Sequence, residues 1–320
     1  MQGEINTFTS VLIVITLVLC VASWILVLVG YIKDRKLRKL RRHYALVLML
    51  VLSVPVVGQT PWQPPRTPDG QPDMQGIWRN EASDPVPVAL YSLEGDHARW
   101  QDELDTVLGR TPTTPPTYVV DPADGKIPYQ PWALLKRQEF IANMVSPTKR
   151  EHIDPNERAW LVGVPRSSHL VAPLQILQVP GYVVLLYEGN HASRVIPLDG
   201  RPHVGERIKL FQGDSRGRWE GNTLVVDVRN QDARTWLDKL SFHGEGLHVV
   251  ERWTLMSPDR IDYRATFDDP TMFTQPWTIA YRFIRYKEEG YEIWEDARHE
   301  GERDVERILR GGGLAGRRKE

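Results

Sequence analysis

Residues 213–253, GDSRGRWEGNTLVVDVRNQDARTWLDKLSFHGEGLHVVERW, hold two strand signatures around a polar loop. The segments 216–220 and 223–228 flank Gly221-Asn222, a turn pair that reverses a chain into a hairpin. A third strand is predicted over 247–255. Period-two alternation there places Leu247, Val249, Glu251, Trp253 and Leu255 on one face, with Glu251 its sole charge. The loop between the hairpin and this strand carries Arg234, Trp236, Asp238, His243 and Glu245, with His248 at the start of the strand, a concentration of chemistry richer than any other in the chain.

The same pattern continues on both sides. Short apolar runs at 174–179, 182–188 and 193–198 precede the stretch, and runs at 261–267, 277–286 and 291–296 come after it, each bounded by Pro, Gly or Asp turns. At least eight sequential strands with tight turns predict a mainly β (α+β) fold. The architecture expected is an antiparallel meander, barrel-like or half-barrel, with a few helices near the start of the domain. Helical spacing marks 92–108, and 131–144 (PWALLKRQEFIANM) opens with proline at its first turn. Pro165 and Pro173 bracket a loop with Arg166 and His169.

The first 58 residues read as membrane-anchoring or signal-like segments. An uncharged run at 11–32 has bilayer-spanning length, and KDRKLRKLRR (33–42) comes directly after it as a cytoplasmic marker. The shorter run 45–58 has the shape of a signal peptide, ending Val56-Val57-Gly58. Either reading exports the chain beyond residue 58 and makes the membrane a partner of the N-terminus. Residues 59–73 read as a Pro-rich tether, 74–309 as a β-rich extracytoplasmic domain and 310–320 as a flexible tail.

Composition narrows the chemistry. A net charge of −1 over 320 residues speaks against an electrostatic nucleic-acid binder. Cys20, the single cysteine, lies in the first apolar run, so the exported part has no cysteine ligand or nucleophile. The eleven tryptophans either pack a core or line a ligand cup. No phosphate-binding glycine loop, dinucleotide fingerprint or Gly-x-Ser-x-Gly elbow is present, and no cofactor is implied.

Candidate acid–base groups are His243, Glu245, His248 and Glu251. The spacing His243-x-Glu245-x-x-His248 is interrupted by glycines and is not the helical zinc-protease pattern, so no metal is assigned. These residues serve either proton transfer or the anchoring of a loop. Glu251, and Glu188 at the end of the 182/184/186 face, are either titrating groups or carboxylates paired with arginines such as Arg194, Arg252 or Arg282. Arg216 and Arg234 suit the orientation of an anionic or hydroxylated group. Trp219, Trp236, Glu188 and His191 complete the candidate substrate-binding set.

The blocks PDMQGIW (72–78), DGKIPYQPWAL (124–134), GVPR (163–166), IPLDGRPH (196–203), GDSRGRWEGNTLVVDV (213–228), LHVVERWT (247–254) and YEIWEDARHEGERD (291–304) resemble one family of exported bacterial proteins. The resemblance covers about residues 70–308 and implies a secreted, β-rich domain in the cell envelope; it implies no reaction. Members of that family often carry cysteines at the positions of Trp160 and Arg298; either these pair, which would make the two positions neighbours, or they are two unrelated cysteines. The Gly76-x-Trp78 opening is similar to the first strand of lipocalin-type barrels. Two functions are expected from these readings. One is an exported hydrolase, lyase or isomerase using metal-independent acid–base chemistry on a small organic or sugar-like substrate. The other is a lipocalin-like protein that binds a small molecule without catalysis.

Overall fold

Alternation along the strands builds the molecule. The computed structural model describes residues 62–81, 92–94, 117–143, 146–169, 172–294, 296 and 304–310. Its strands are β1 (Gly76–Asn80), β2 (Val119–Asp121), β3 (Leu174–Val179), β4 (Tyr182–Tyr187), β5 (Ser193–Pro197), β6 (Asp214–Glu220), β7 (Thr223–Arg229), β8 (His248–Ser257), β9 (Arg260–Asp268) and β10 (Trp277–Arg285). The helices are α1 (Pro131–Asn143), α2 (Arg166–His169) and α3 (Asp304–Leu309). All ladders among these strands are antiparallel, in the order β5-β4-β3-β1-β10-β9-β8-β7-β6, with β2 also on β10.

Two meanders, β3–β5 and β6–β10, are thus joined by the N-terminal strand β1, which lies between β10 and β3. The ends of the sheet, β5 and β6, meet without a backbone ladder and make the sheet a nearly closed barrel. Gly217 on β6 permits the approach: a β-carbon there would lie 2.7 Å from the side chains of Ile196 and Leu198. The seam is bridged by side chains as well, since Arg194 Nε on β5 donates to Ser215 Oγ on β6 at 2.8 Å.

The interior is aromatic. Trp78, Trp253, Trp277, Tyr263, Phe267 and Phe283 are each fully buried. Their rings touch in series: Phe267 stacks on Trp277 at 4.1 Å and Trp253 on Phe283 at 4.9 Å. These tryptophans fill the barrel as core, each ring burying a large apolar surface beside the Val, Ile and Leu side chains of the strands. Tight turns close the hairpins, with Gly181 and Gly221 at φ of +82° and +61°, where a side chain would be strained.

Some expectations change on this frame. Residues 291–294 of the predicted strand 291–296 form no strand, and Asp296 makes an isolated bridge to Gly189. Burial of β4 falls on Val183, Leu185 and Tyr187, so Glu188 does not end an inward face. The loop 165–173 contains α2, whose Arg166, Ser167, Ser168 and His169 are all buried. Within the Pro-rich stretch, residues 62–73 make contacts with themselves and with β3. Thr67 N donates to Gln71 O at 2.9 Å, Gln178 Nε2 donates to Pro72 O at 3.0 Å, and Pro64, Thr67 and Pro72 are buried.

The apolar segments 11–32 and 45–58, nearly all of the predicted helix 92–108, and Arg298 lie outside the described residues. Among the described residues no helix is long and apolar enough to cross a membrane.

Candidate functional site

Helix α1 buries Ala133, Arg137 and Phe140, the four- and three-residue spacing of one helical stripe. Arg137 is held by Glu94 at 3.2 Å, both side chains nearly inaccessible. This docking leaves Trp132, Leu134 and Leu135 exposed, with Leu135 at 67 %. Under the helix runs the 231–247 loop. Trp236 stacks on Phe140 at 5.1 Å with 23° between ring planes, and Phe242 meets Phe140 edge-on at 5.3 Å.

Between helix and loop lies a cleft of about 240 Å³ lined by Trp132, Lys136, Phe140, Ala233, Trp236, Phe242, His243, Gly244, Glu245 and Met272. Its volume falls below the roughly 300–1,000 Å³ of drug-sized sites and gives room for one ring with a short substituent. A more open depression beside Arg79, Asp259, Arg285 and Lys287 has about 550 Å³. There Asp259 is occupied by Lys287 at 2.6 Å, and Tyr286 is the one aromatic side chain in the lining.

The loop under the cleft is fastened from below. His243 Nδ1 donates to the Gly244 carbonyl at 2.8 Å, so Nε2 is the acceptor that faces Gln231 Nε2 at 3.1 Å and Thr235 Oγ1 at 2.9 Å. Burial holds its pKa below the ordinary histidine value, favouring the neutral ring. Asp269 accepts from Gly244 N at 3.0 Å, and a β-carbon at Gly244 would press on Asp269 at 2.7 Å, which explains the glycine after His243. Glu245 is exposed on the rim and pairs with Lys209 at 3.4 Å.

The remaining candidates lie elsewhere. Glu251 is inside the barrel, fully buried, accepting from Arg194 Nη2 and from Tyr263 OH at 2.9 Å. His248 is on the opposite face of β8, its Nε2 2.8 Å from Asp227 Oδ2. Asp227 Oδ1 meets His203 Nε2 at 2.9 Å, and His203 Nδ1 meets Asp214 Oδ2 at 2.9 Å. Burial would raise the Asp227 pKa, but its bonds to His248 and His203 outweigh it and the pKa falls. Arg216 clamps the β5–β6 connection, donating to Pro202 O at 2.9 Å and to Asp214 at 2.7 Å. Arg234 lies over the rings of Trp160 and Phe211 at 5.2 and 5.3 Å and pairs with Asp232 at 2.5 Å. Trp219 packs at the edge of the barrel core. Glu188 accepts from Tyr291 OH, and His191 is exposed in the β4–β5 turn at φ +40°.

The structure therefore brings His243, Glu245 and Trp236 to one cleft and separates Glu251 from His248 by the thickness of the sheet. Trp132, Lys136, Phe140, Phe242 and Met272 join the cleft without having been singled out from sequence. The available signal was the apolar triplet Trp132, Leu134 and Leu135 on a helix whose buried stripe is 133/137/140. Among the described residues no three His, Cys, Asp or Glu side chains are arranged to hold a metal ion. Compared with family models and with curated protein sequences, the chain matches none.

Proposed function

We propose that this domain is a small-molecule binding module whose ligand seats a ring in the aromatic cleft beneath α1, on the extracytoplasmic side of a membrane anchored by the N-terminal apolar segments. The observation that carries this reading is the cleft itself: Trp236, Phe140 and Phe242 form a packed floor, and Trp132 stands half-exposed at its edge. Aromatic walls with a few polar groups at the rim are the usual recognition surface for flat apolar ligands and for sugar faces.

An acid–base centre is less well supported. Its four expected groups do not converge, because Glu251 is consumed by Arg194 and Tyr263, and both ring nitrogens of His243 are engaged. The export reading rests on segments 11–32 and 45–58 and on the resemblance to exported proteins.

A screen of single-ring fragments against the full chain, read by tryptophan fluorescence, tests the binding reading. Binding that weakens at least about fivefold in Trp132→Ala, from loss of aromatic contact worth about 1 kcal/mol or more, is the expected result. Hits unaffected by Trp132→Ala, or no hits, contradict it.

A further inference from the structure

Lys136 stands apart from the other charged groups around the cleft. Its ammonium lies 4.8 Å from the ring centroid of Phe242 and 5.6 Å from that of Phe140. It makes no ion pair or hydrogen bond among the described residues. The neighbouring carboxylates are committed elsewhere. Glu139, three residues on, serves Lys149 at 2.9 Å and His152 at 3.2 Å. Glu94 holds Arg137, Asp232 holds Arg234, and Glu245 pairs with Lys209 across the rim. Asp269 is spent on Gly244 N and on the Thr271 hydroxyl and amide. His243 in the floor is held neutral by burial.

Among the described residues, the cleft thus presents one uncompensated cation, Lys136, above an apolar aromatic floor. A cation held on ring faces keeps N–H donors directed away from the rings, and an anion arriving there displaces no existing partner. From this we infer that the cleft selects ring-bearing carboxylic acids, the ring lying against Trp132 and Trp236 and the carboxylate taken by Lys136 Nζ. The inference rests on the binding reading above and names its ligand class. A sugar or neutral ring uses the same floor but gains nothing from the cation.

Phenylacetate and its neutral counterpart phenylacetamide separate the two claims, because they share a ring and differ in charge. Their affinities are measured by ligand-observed NMR for the full chain, for Lys136→Met and for Trp132→Ala. The wild-type chain is expected to hold phenylacetate about two- to fivefold more tightly, the scale of one exposed charge contact. Lys136→Met, on the exposed side of α1 and outside its packing stripe, is expected to erase that preference while keeping phenylacetamide binding. Trp132→Ala is expected to weaken both. Equal affinities in the wild-type chain, or a preference that survives Lys136→Met, overturn the carboxylate assignment and leave the cleft as a ring site. Binding of neither probe rejects the cleft as a ring site and the carboxylate assignment with it.

Discussion

Arg194 on β5 and Glu251 on β8 form an ion pair inside the barrel, and these strands are not neighbours in the sheet. The same guanidinium bonds Ser215 on β6, so one side chain spans the seam where backbone pairing is missing. Beside Glu251, the pKa of Arg194 is raised even though burial, the largest influence, works against its charge.

Removing either partner leaves the other buried and uncompensated. Arg194→Met or Glu251→Leu is therefore expected to cost about 3–5 kcal/mol in unfolding free energy. The double variant Arg194→Met with Glu251→Leu is expected to recover much of that loss. Urea denaturation of the three variants checks it; strictly additive losses mean the pair is not coupled.

A second expectation concerns the seam itself. Gly217→Ala drives a β-carbon against Ile196 and Leu198, an overpacking cost of about 1–3 kcal/mol. Gly221→Ala meets no atom within 4 Å and is strained only by its positive φ, so it is expected to cost about 1 kcal/mol. Melting both variants gives the comparison. A Gly217→Ala chain as stable as wild type would mean that β5 and β6 do not close on each other.

Acid is expected to loosen the domain through His169. Burial, reinforced by the charge of Arg166, lowers its pKa from 6.5 to about 3. The unfolded chain then takes up a proton that the folded chain refuses, so stability is full above pH 6.5 and falls as pH drops from 6.5 toward 3. His243, lowered in the same direction by burial, adds to the slope. Between pH 7 and 4.5 the loss attributable to His169 is on the order of 2 kcal/mol. His169→Phe should flatten the pH dependence of the urea midpoint relative to wild type; an unchanged slope removes His169 as its source.

The barrel was legible because alternation on β8, β9 and β10 is nearly unbroken, with turn residues at each end. Strand 174–179 and helix α1 are predicted to within a residue for the same reason. The short strand β2 and the α2 helix were not, because three or four residues hold too little periodicity to outweigh the prolines around them. At 291–296 the aromatic residues carry strand propensity, but Tyr291 is drawn to Glu188 and Tyr286 instead of a ladder. For the site, the loop 231–247 was visible through its polar residues. Its partner was not, because the cleft depends on which side of α1 faces the loop. Glu251 could be placed inward by alternation, whereas its choice of Arg194 over Arg252 or Arg282 depends on barrel closure.

Ligand is expected to enter the cleft under α1 and not the barrel interior. Fluorotryptophan labelling, with ¹⁹F resonances assigned by single Trp→Phe substitutions, reads both places at once in the full chain. Titration with a ring-bearing fragment is predicted to shift Trp132 and Trp236 while Trp78, Trp253 and Trp277 stay fixed. Shifts confined to those three interior tryptophans would place the ligand inside the barrel and rule out the cleft.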